Sequence, residues 1–474
     1  MASPTRIDVD YLVAGAGAMG MAFVDTILAS SVNATVALID RNSRPGGHWT
    51  TAYPFVRLHQ PSSFYGVSSR HLGTGKIDQI GLNRGHYELA TGDEVSAYYA
   101  QVLHETFLPS GRVQYFARCI WKGDTSFQSI LTGEAFQVGS RTKIVDATYM
   151  KLEVPSMRPP PYQVAEGVTV RTPNDLVNLS RPYANYTVVG AGKTGMDTCI
   201  WLLTNGVDPN RVTWIMPRDS WLFDRAFFGK DNAEAIKKRV QATMLATAPD
   251  DMFRRYEASG QFLRLDQEVW PTMFRCATVS RAELEELRRI KNIVRLGRVL
   301  SIDVEKVTLQ HGSYTTVQDI VFVDYTADGA GVRPPVAVFS PIRITLQPVR
   351  YCQQVFSAAF IAHVESAYDD EQVKNELCRP VLQPSAPIDM LVVSYQDNLN
   401  ALRWCLESKT VAWLSNCRLD FFSKTWAPLL AEDPEEREAA RQRFRAQRRV
   451  LCDKLRELLR EEPAAEAKIA LAKF

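Results

Sequence analysis

Two glycine-rich turns with the spacing G-x-G-x-x-G constrain this chain more than any other feature. The glycines of the two turns are Gly15, Gly17 and Gly20, followed by Gly190, Gly192 and Gly195. Each turn follows a short apolar run and opens a helix-like run, which is the pattern of a βαβ unit that binds a dinucleotide. The pattern therefore predicts an α/β fold with two Rossmann-type dinucleotide-binding domains.

The bulk properties exclude several classes of function. The chain has 474 residues and a formal net charge of +2, which allows two or three domains and gives no electrostatic case for nucleic acid. The eight cysteines are scattered, so we expect buried thiols rather than a disulfide framework or a redox-active dithiol. The histidines lack metal-ligand spacing, so we expect no metal. Without a recognisable signal peptide or membrane span, we expect a cytoplasmic protein.

The first glycine turn has the residues that a flavin or NAD site requires. Gly15 would make the tight turn, Gly17 would admit a phosphate, and Gly20 would let the helix pack on the sheet. Asp40 stands 20 residues after Gly20, where an acidic side chain binds the hydroxyls of an unphosphorylated ribose. Arg41 follows it and is a further candidate for cofactor binding. These residues therefore predict an unphosphorylated adenosine ribose at this turn, as in FAD or NAD.

The second glycine turn differs from the first in charge. Lys193 and Thr194 lie inside it and are candidates for phosphate contacts. The strand-like run that follows leads to Arg218, where an arginine can pair with a 2′-phosphate. This contrast with Asp40 favours NADPH over NADH, although the neighbouring Asp219 leaves NADH open.

The motif Gly46-Gly47-His48-Trp49 follows the ribose-binding acid, and here the chain resembles the flavin-containing monooxygenases. These class B flavoprotein monooxygenases carry a G-G-x-W signature at this place. The resemblance implies that Gly47, His48 and Trp49, with Gly46, line an FAD site. It also implies NADP(H) at the second turn, where Thr194 and Asp197 match the family pattern.

A polar loop after this motif is similar to the family stretch that passes the isoalloxazine ring. The resemblance implies that Gln60 takes the place of a family asparagine at the reactive edge of the flavin. His59 beside it and Arg57 are the other catalytic candidates. An amide there can hydrogen-bond an oxygen adduct without acting as an acid.

Two departures limit the resemblance. The family fingerprint F-x-G-x-x-x-H should lie between the glycine turns, but Phe136 to Gly139 lacks the following histidine. The strict Baeyer–Villiger version is therefore absent. Asp146-Ala147-Thr148 and Asp324 to Gly329 resemble the two family crossings between domains, with Tyr149 in place of the usual glycine in the first.

The order of the motifs predicts the domain organisation. We expect a first part of the FAD domain at 1–180, an NADP domain at 181–325, and a return to the FAD domain with a mainly helical C-terminal region at 326–474. The charged segment 230–290 is expected to be helical. The charged tail fits an amphipathic helix packed on its own domain. A dimerisation helix of a homo-oligomer and a lid over the substrate entrance remain open.

The resemblance implies an enzyme in which NADPH reduces FAD, O₂ adds to the flavin, and a C4a-(hydro)peroxide transfers one oxygen atom to a small organic molecule. Oxidation of nitrogen or sulfur is favoured over that of a ketone. Two alternatives stay open: an FAD-dependent NAD(P)H reductase or oxidase without oxygen transfer, and a dinucleotide-holding scaffold without turnover.

Overall fold

The computed structural model describes residues 3–150, 158–229, 233–326 and 333–471. The first of these ranges contains a βαβ unit followed by short strands. Its strands and helices are β1 (Thr5–Ile7), β2 (Tyr11–Ala14), α1 (Ala18–Ser30), β3 (Val36–Asp40), α2 (Gly92–Gln101), β4 (Val113–Ala117), β5 (Cys119–Trp121), β6 (Ser126–Ser129), β7 (Ala135–Val138) and β8 (Lys143–Asp146).

The middle of the chain contains the second βαβ unit. Its elements are β9 (Gln163–Val164), β10 (Val170–Arg171), α3 (Pro173–Leu176), β11 (Asn185–Val189), α4 (Lys193–Thr204), β12 (Val212–Ile215), β13 (Ser220–Asp224), α5 (Ala233–Leu245), α6 (Pro249–Ala258), β14 (Phe262–Leu263), β15 (Met273–Val279), α7 (Arg281–Leu287), β16 (Asn292–Val294), β17 (Val299–Ile302), β18 (Lys306–Leu309), β19 (Gly312–Thr315) and β20 (Ile320–Asp324).

The C-terminal part is mainly helical, as expected. Its elements are β21 (Arg343–Thr345), α8 (Gln354–Ala367), α9 (Glu371–Leu377), α10 (Pro387–Trp404), α11 (Ser408–Asn416), α12 (Pro434–Leu459) and α13 (Pro463–Leu471). None of the helices in the described ranges combines the length and the apolar character needed to cross a bilayer.

Two parallel five-stranded sheets carry the glycine turns. The first has the order β21-β8-β2-β3-β4, and the second has the order β10-β20-β11-β12-β16. In each sheet the turn follows a central strand, β2 or β11, at the point where the strand order reverses. Crevices at such reversals bind dinucleotides in open parallel sheets. The predicted α/β fold with two Rossmann-type units is confirmed.

Burial on both faces explains why these strands are parallel and apolar. All five residues of β3 are buried, including Asp40 at its carboxyl end. Helix α8 lies against α1 and buries an unbroken stretch from Val355 to Glu365. Because β21 pairs with β8 in parallel, the chain returns to the first sheet after the second unit.

The charged segment 230–290 is only partly helical. The expected helices occur as α5, α6 and α7, but β14 and β15 interrupt them. Strand β15 pairs with β13 in parallel and β14 pairs with β13 in antiparallel orientation. The segment Met273–Val279 contains apolar and β-branched side chains and is almost wholly buried, which favours a strand over a helix. The prediction of a purely helical segment is wrong here.

The prediction of unpaired thiols is wrong for one pair of cysteines. Cys276 and Cys352 form a disulfide whose Cα atoms are 6.7 Å apart, while the other six cysteines are free and buried. The pair was invisible in the sequence because the two residues are separated by 76 positions and meet only when β15 packs beside the start of α8.

We expect the Cys276→Ser variant to unfold at lower denaturant concentration than the wild type. Closing a loop of 76 residues restricts the unfolded chain, which stabilises the native protein by roughly 4 kcal/mol. Guanidinium unfolding with and without dithiothreitol measures this. The reductant should move the midpoint of the wild type towards that of the variant and leave the variant unchanged. A reductant effect of equal size in both proteins would contradict the assignment.

Candidate functional site

One cavity of about 1480 Å³ is lined by residues of both Rossmann units and of the C-terminal part. Most of the residues singled out in the sequence lie along it: Gly15, Gly17, Asp40, Arg41, Gly47, His48, Trp49, Arg57, His59, Gln60, Lys193 and Thr194. The others, Gly20, Gly190, Gly192, Gly195 and Arg218, are not among its lining residues.

The first glycine turn depends on glycine at two positions, Gly15 and Gly20. Gly15 has a φ of +106°, which favours glycine. A Cβ on Gly20 would lie 1.9 Å from the carbonyl oxygen of Gly15, so α1 can approach β2 only with glycine at this place. The N–H groups at the start of α1 therefore face the cavity without obstruction.

The G-G-x-W motif belongs to the same turn in three dimensions. Gly47 has a φ of +58°, and a Cβ there would lie 2.8 Å from the Cα of Gly17. The backbone N–H of Gly46 also donates a 2.8 Å hydrogen bond to the carbonyl oxygen of Ala16. The backbone of the first glycine turn thus requires glycine at position 47. The spacing of the residues in the sequence does not reveal this contact.

Asp40 fixes the glycine turn as well as facing the cavity. One carboxylate oxygen accepts a hydrogen bond from the backbone N–H of Ala16, and the other accepts one from Asn42, each at 2.7 Å. Burial raises the pKa of Asp40, while these hydrogen bonds oppose the shift. Each oxygen retains acceptor capacity for a further donor, such as a ribose hydroxyl.

Trp49 is held in place by a second aromatic residue. Its indole Nε1 donates a 2.7 Å hydrogen bond to the hydroxyl of Tyr65, and the two rings meet edge to face at 5.9 Å. His48 lies beside the indole, with 5.1 Å between ring centroids. Tyr65 was not predicted as a site residue, although it lies in the loop that was.

The catalytic candidates lie together on one loop. Arg57 donates a 3.1 Å hydrogen bond to the carbonyl oxygen of Leu89, and His59 and Gln60 line the cavity beside it. Burial, followed by the charges of Lys193 and Arg225, lowers the pKa of His59 to about 3. The imidazole is therefore neutral at pH 7, and its buried Nδ1 has no hydrogen-bond partner among the described residues.

The second glycine turn repeats the geometry of the first. Gly190 has a φ of +132°, and a Cβ there would lie 2.8 Å from the carbonyl oxygen of Tyr325, at the end of β20. A Cβ on Gly195 would lie 2.4 Å from the carbonyl oxygen of Gly190. A Cβ on Gly192, by contrast, would meet no atom within 4 Å. The turn therefore leaves open space at the start of α4.

A buried polar network joins the start of α4 to the loop of the first unit. Lys193 forms an ion pair with Asp197, and Asp197 also accepts a 2.8 Å hydrogen bond from the hydroxyl of Tyr53. Although burial alone would raise the pKa of Glu283, Lys193 and Arg225 hold it below its usual value. Lys193 is thus engaged with protein carboxylates, which the sequence did not predict.

Arg218 and its acidic neighbour have different environments. Asp219 is buried and accepts two hydrogen bonds from Arg295, at 2.8 and 3.0 Å, and Arg295 also forms a 3.1 Å ion pair with Asp266. Because β12 and β16 are adjacent and parallel, Arg218 and Arg295 follow their carboxyl ends at the same edge. Arg295 shares one positive charge between two carboxylates and therefore offsets part of the repulsion that Asp219 would exert on a 2′-phosphate. Ligands of open parallel sheets bind outside the carboxyl ends of the strands. Applying this rule to β16 in the sequence could have found Arg295.

The two departures from the family pattern, at Phe136 to Gly139 and at Tyr149, have different structural surroundings. Phe136 stacks on Phe127 at 4.8 Å in the core of a small sheet formed by β1, β7, β6 and β5, so the incomplete fingerprint has a packing role. The hydroxyl of Tyr149 donates a 2.6 Å hydrogen bond to the carbonyl oxygen of Pro334. The residues from Ala327 to Gly329 lie outside the described ranges.

Among solved structures, the chain is similar to a steroid monooxygenase bound to NADP, with 13% identity and a TM-score of 0.47 over 76% of this chain and 86% of that chain. A cyclohexanone monooxygenase from Rhodococcus sp. Phi1 bound to NADP⁺ gives 13% identity and a TM-score of 0.44, covering 77% of this chain and 85% of that chain. No model of a known protein family matches the sequence.

Relatives found by sequence have a much higher identity to this chain than these solved structures do. Uncharacterized proteins from Mycobacterium bovis and from two strains of Mycobacterium tuberculosis are each 49% identical to this chain over 459 residues. The matches cover 96% of this chain and 85% of each relative. The chain belongs to the family of these mycobacterial proteins.

Proposed function

We propose that this protein is an NADPH-dependent FAD monooxygenase, which transfers one oxygen atom from O₂ to a small organic substrate by N-oxygenation, S-oxygenation or hydroxylation. The observation that carries the proposal is that one cavity is lined both by the first glycine turn and by the first turn of α4. An enzyme that passes hydride from a nicotinamide to a flavin requires two dinucleotides that meet in this way.

The residues of the first unit fit FAD. Gly15 and Gly17 leave the start of α1 free for a pyrophosphate, and Asp40 has acceptor capacity for ribose hydroxyls. Gly47 and Trp49 would lie beside the cofactor, because both line the cavity next to this turn.

The residues of the second unit fit NADPH. The open space at Gly192 would admit a phosphate at the start of α4, where backbone N–H groups bind anions. Arg218 would contact the 2′-phosphate, and the pairing of Arg295 with the adjacent Asp219 would weaken the repulsion from that carboxylate.

FAD and NADPH, when bound, supply hydride transfer and the activation of O₂; the residues of this chain orient them and exclude water. His59 is neutral, so it would act by hydrogen bonding rather than as an acid. Gln60 offers both an amide donor and an acceptor. Arg57, at the exposed end of the loop, would add a positive charge beside the reacting groups.

Stopped-flow spectroscopy of the FAD-loaded protein tests the proposal. The flavin is reduced anaerobically with NADPH and then mixed with oxygenated buffer in the absence of substrate. A long-lived near-ultraviolet absorption before the oxidised flavin spectrum returns is the expected result. Direct return of the oxidised spectrum, with prompt release of hydrogen peroxide, would instead assign the chain to NAD(P)H oxidases or reductases. Failure of NADPH to reduce the flavin would leave the scaffold alternative.

We expect the Arg218→Gln variant to lose its preference for NADPH. A charge-assisted arginine–phosphate contact contributes about 1.5–3 kcal/mol, so kcat/KM for NADPH should fall by roughly 10- to 100-fold. The value for NADH should stay nearly unchanged, because NADH lacks the 2′-phosphate. Flavin reduction rates with each nucleotide provide the measurement.

The matched control for this prediction is Arg211→Gln, which removes the same charge from an exposed position at the beginning of β12. It should retain the preference of the wild type. An equal loss with NADPH and NADH in Arg218→Gln would show that the arginine supports the fold and does not read the phosphate.

A further inference from the structure

The cavity contains a continuous chain of phenylalanine rings beyond the dinucleotide turns. Phe64, next to Tyr65 on the loop of the first unit, lies 5.1 Å from Phe421, which lies 5.2 Å from Phe228. Phe228 then lies 5.5 Å from Phe223, and Phe223 lies 5.5 Å from Phe274. All five side chains line the cavity. We call this part of the cavity the aromatic compartment.

A half-buried arginine on α5 lies beside one ring of the aromatic compartment. The guanidinium carbon of Arg239 is 5.5 Å from the ring centroid of Phe223, and the residue lines the cavity. Its Nε donates a 3.1 Å hydrogen bond to Oε1 of Gln261, a fully buried residue. This bond holds the side chain by its inner nitrogen, so the two terminal nitrogens are left as a planar fork.

The charge of Arg239 is not neutralised by a carboxylate of the described residues. Within the described part of the chain, no aspartate or glutamate forms an ion pair with it, and the carboxylates that line the cavity are committed elsewhere. Asp40 binds the first glycine turn, Asp146 accepts hydrogen bonds from Thr148, and Asp197 pairs with Lys193. A cation beside apolar rings without a counter-ion favours an anionic ligand.

A second donor that lines the cavity has no partner among the described residues. The side-chain Nε2 of Gln383 is buried and makes no hydrogen bond with the described residues, and Gln383 lines the cavity. A buried amide donor is costly to leave unpaired, so its occurrence in a cavity wall indicates a ligand acceptor. This observation is independent of the charge on Arg239.

We infer that the substrate is an aryl carboxylate, whose ring lies among the phenylalanines and whose carboxylate pairs with the terminal nitrogens of Arg239. The planar fork of arginine matches the two oxygens of a carboxylate. Two rings separate Phe64, on the loop with Gln60, from Phe223 beside Arg239, so the opposite end of the molecule would point towards that loop. That this ligand is oxidised rests on the proposed function. That the protein binds it rests only on the residues of the aromatic compartment.

Calorimetric titration of the FAD-loaded protein, without NADPH, tests the binding. The probes are 4-(methylthio)phenylacetic acid and its primary amide, which have nearly the same shape and differ in charge. We expect the wild type to bind the acid at least about 10-fold more tightly than the amide, since a charge-assisted pair replaces a neutral one. The Arg239→Gln variant should lose this difference, and Arg239→Lys should keep only part of it.

Lys238→Gln is the matched control, because it removes the same charge from an exposed position on the same helix. It should bind the acid as the wild type does. Equal binding of acid and amide by the wild type, or no binding of the acid, would overturn the inference. So would an Arg239→Gln variant that binds the acid as tightly as the wild type does. Since no turnover is needed, these outcomes are separate from failure of the proposed reaction.

Discussion

The Gly47→Ala variant is expected to purify without bound FAD. Alanine at this position meets two obstacles at once: a φ of +58°, which is unfavourable for any residue with a Cβ, and a Cβ position 2.8 Å from the Cα of Gly17. The atom in the way belongs to the backbone of the phosphate turn and cannot rotate aside. Either α1 or the loop must therefore move, which opens the turn where the pyrophosphate would bind.

The expected loss of FAD affinity is large because two free-energy costs add. The left-handed backbone costs about 1–2 kcal/mol for a residue other than glycine, and displacement of Gly17 removes phosphate contacts at the start of α1. We expect FAD to bind at least about 100-fold more weakly, which the ratio of flavin to protein absorbance and an FAD titration would measure.

Gly81→Ala separates these two penalties. Gly81 has a φ of +71°, but a Cβ there would meet no atom within 4 Å. This control carries the backbone strain without the collision and lies outside both glycine turns, so it should retain FAD. Full FAD occupancy in Gly47→Ala would contradict the assignment of this turn to FAD, whereas loss in both variants would point to general destabilisation.

Local features of the fold could be predicted from the sequence. The helix-like runs expected after the two glycine turns occur as Ala18–Ser30 and Lys193–Thr204. These elements follow from a glycine turn between an apolar strand and an apolar helix, all within about 30 residues. The outer strands β10 and β21 are only two or three residues long, and their pairing depends on distant parts of the chain.

Many residues of the candidate site could also be predicted from the sequence. The contacts between these residues could not. Gly47 was predicted to line a flavin site, yet its contact with Gly17 depends on how the loop folds back over the turn. Tyr53 and Asp197 are far apart in the sequence and meet at 2.8 Å. Arg239 lies on a charged helix, where it looks like any solvated arginine until the helix packs over the phenylalanines.

The Gly192→Ala variant is expected to fold normally and to bind NADPH poorly. The backbone of Gly192 has a φ of −74° and a ψ of 174°, which alanine adopts without strain. Its Cβ would meet no protein atom within 4 Å and would enter the open space at the start of α4. A phosphate at this helix start requires close approach to the backbone, so the methyl group should raise the Kd for NADPH by roughly 100-fold.

The measurement is anaerobic reduction of the FAD-loaded protein over a range of NADPH concentrations, together with thermal unfolding. FAD content and unfolding temperature should match the wild type, because the first unit is untouched. Gly139→Ala is the matched control, since a Cβ there makes ordinary contacts at 3.8 Å or more. The neighbouring Gly195→Ala should instead lower stability, because its Cβ would lie 2.4 Å from the carbonyl oxygen of Gly190. An unchanged Kd for NADPH in Gly192→Ala would contradict the assignment of NADPH to this turn. The proposed hydride transfer across the cavity would then lose its structural basis.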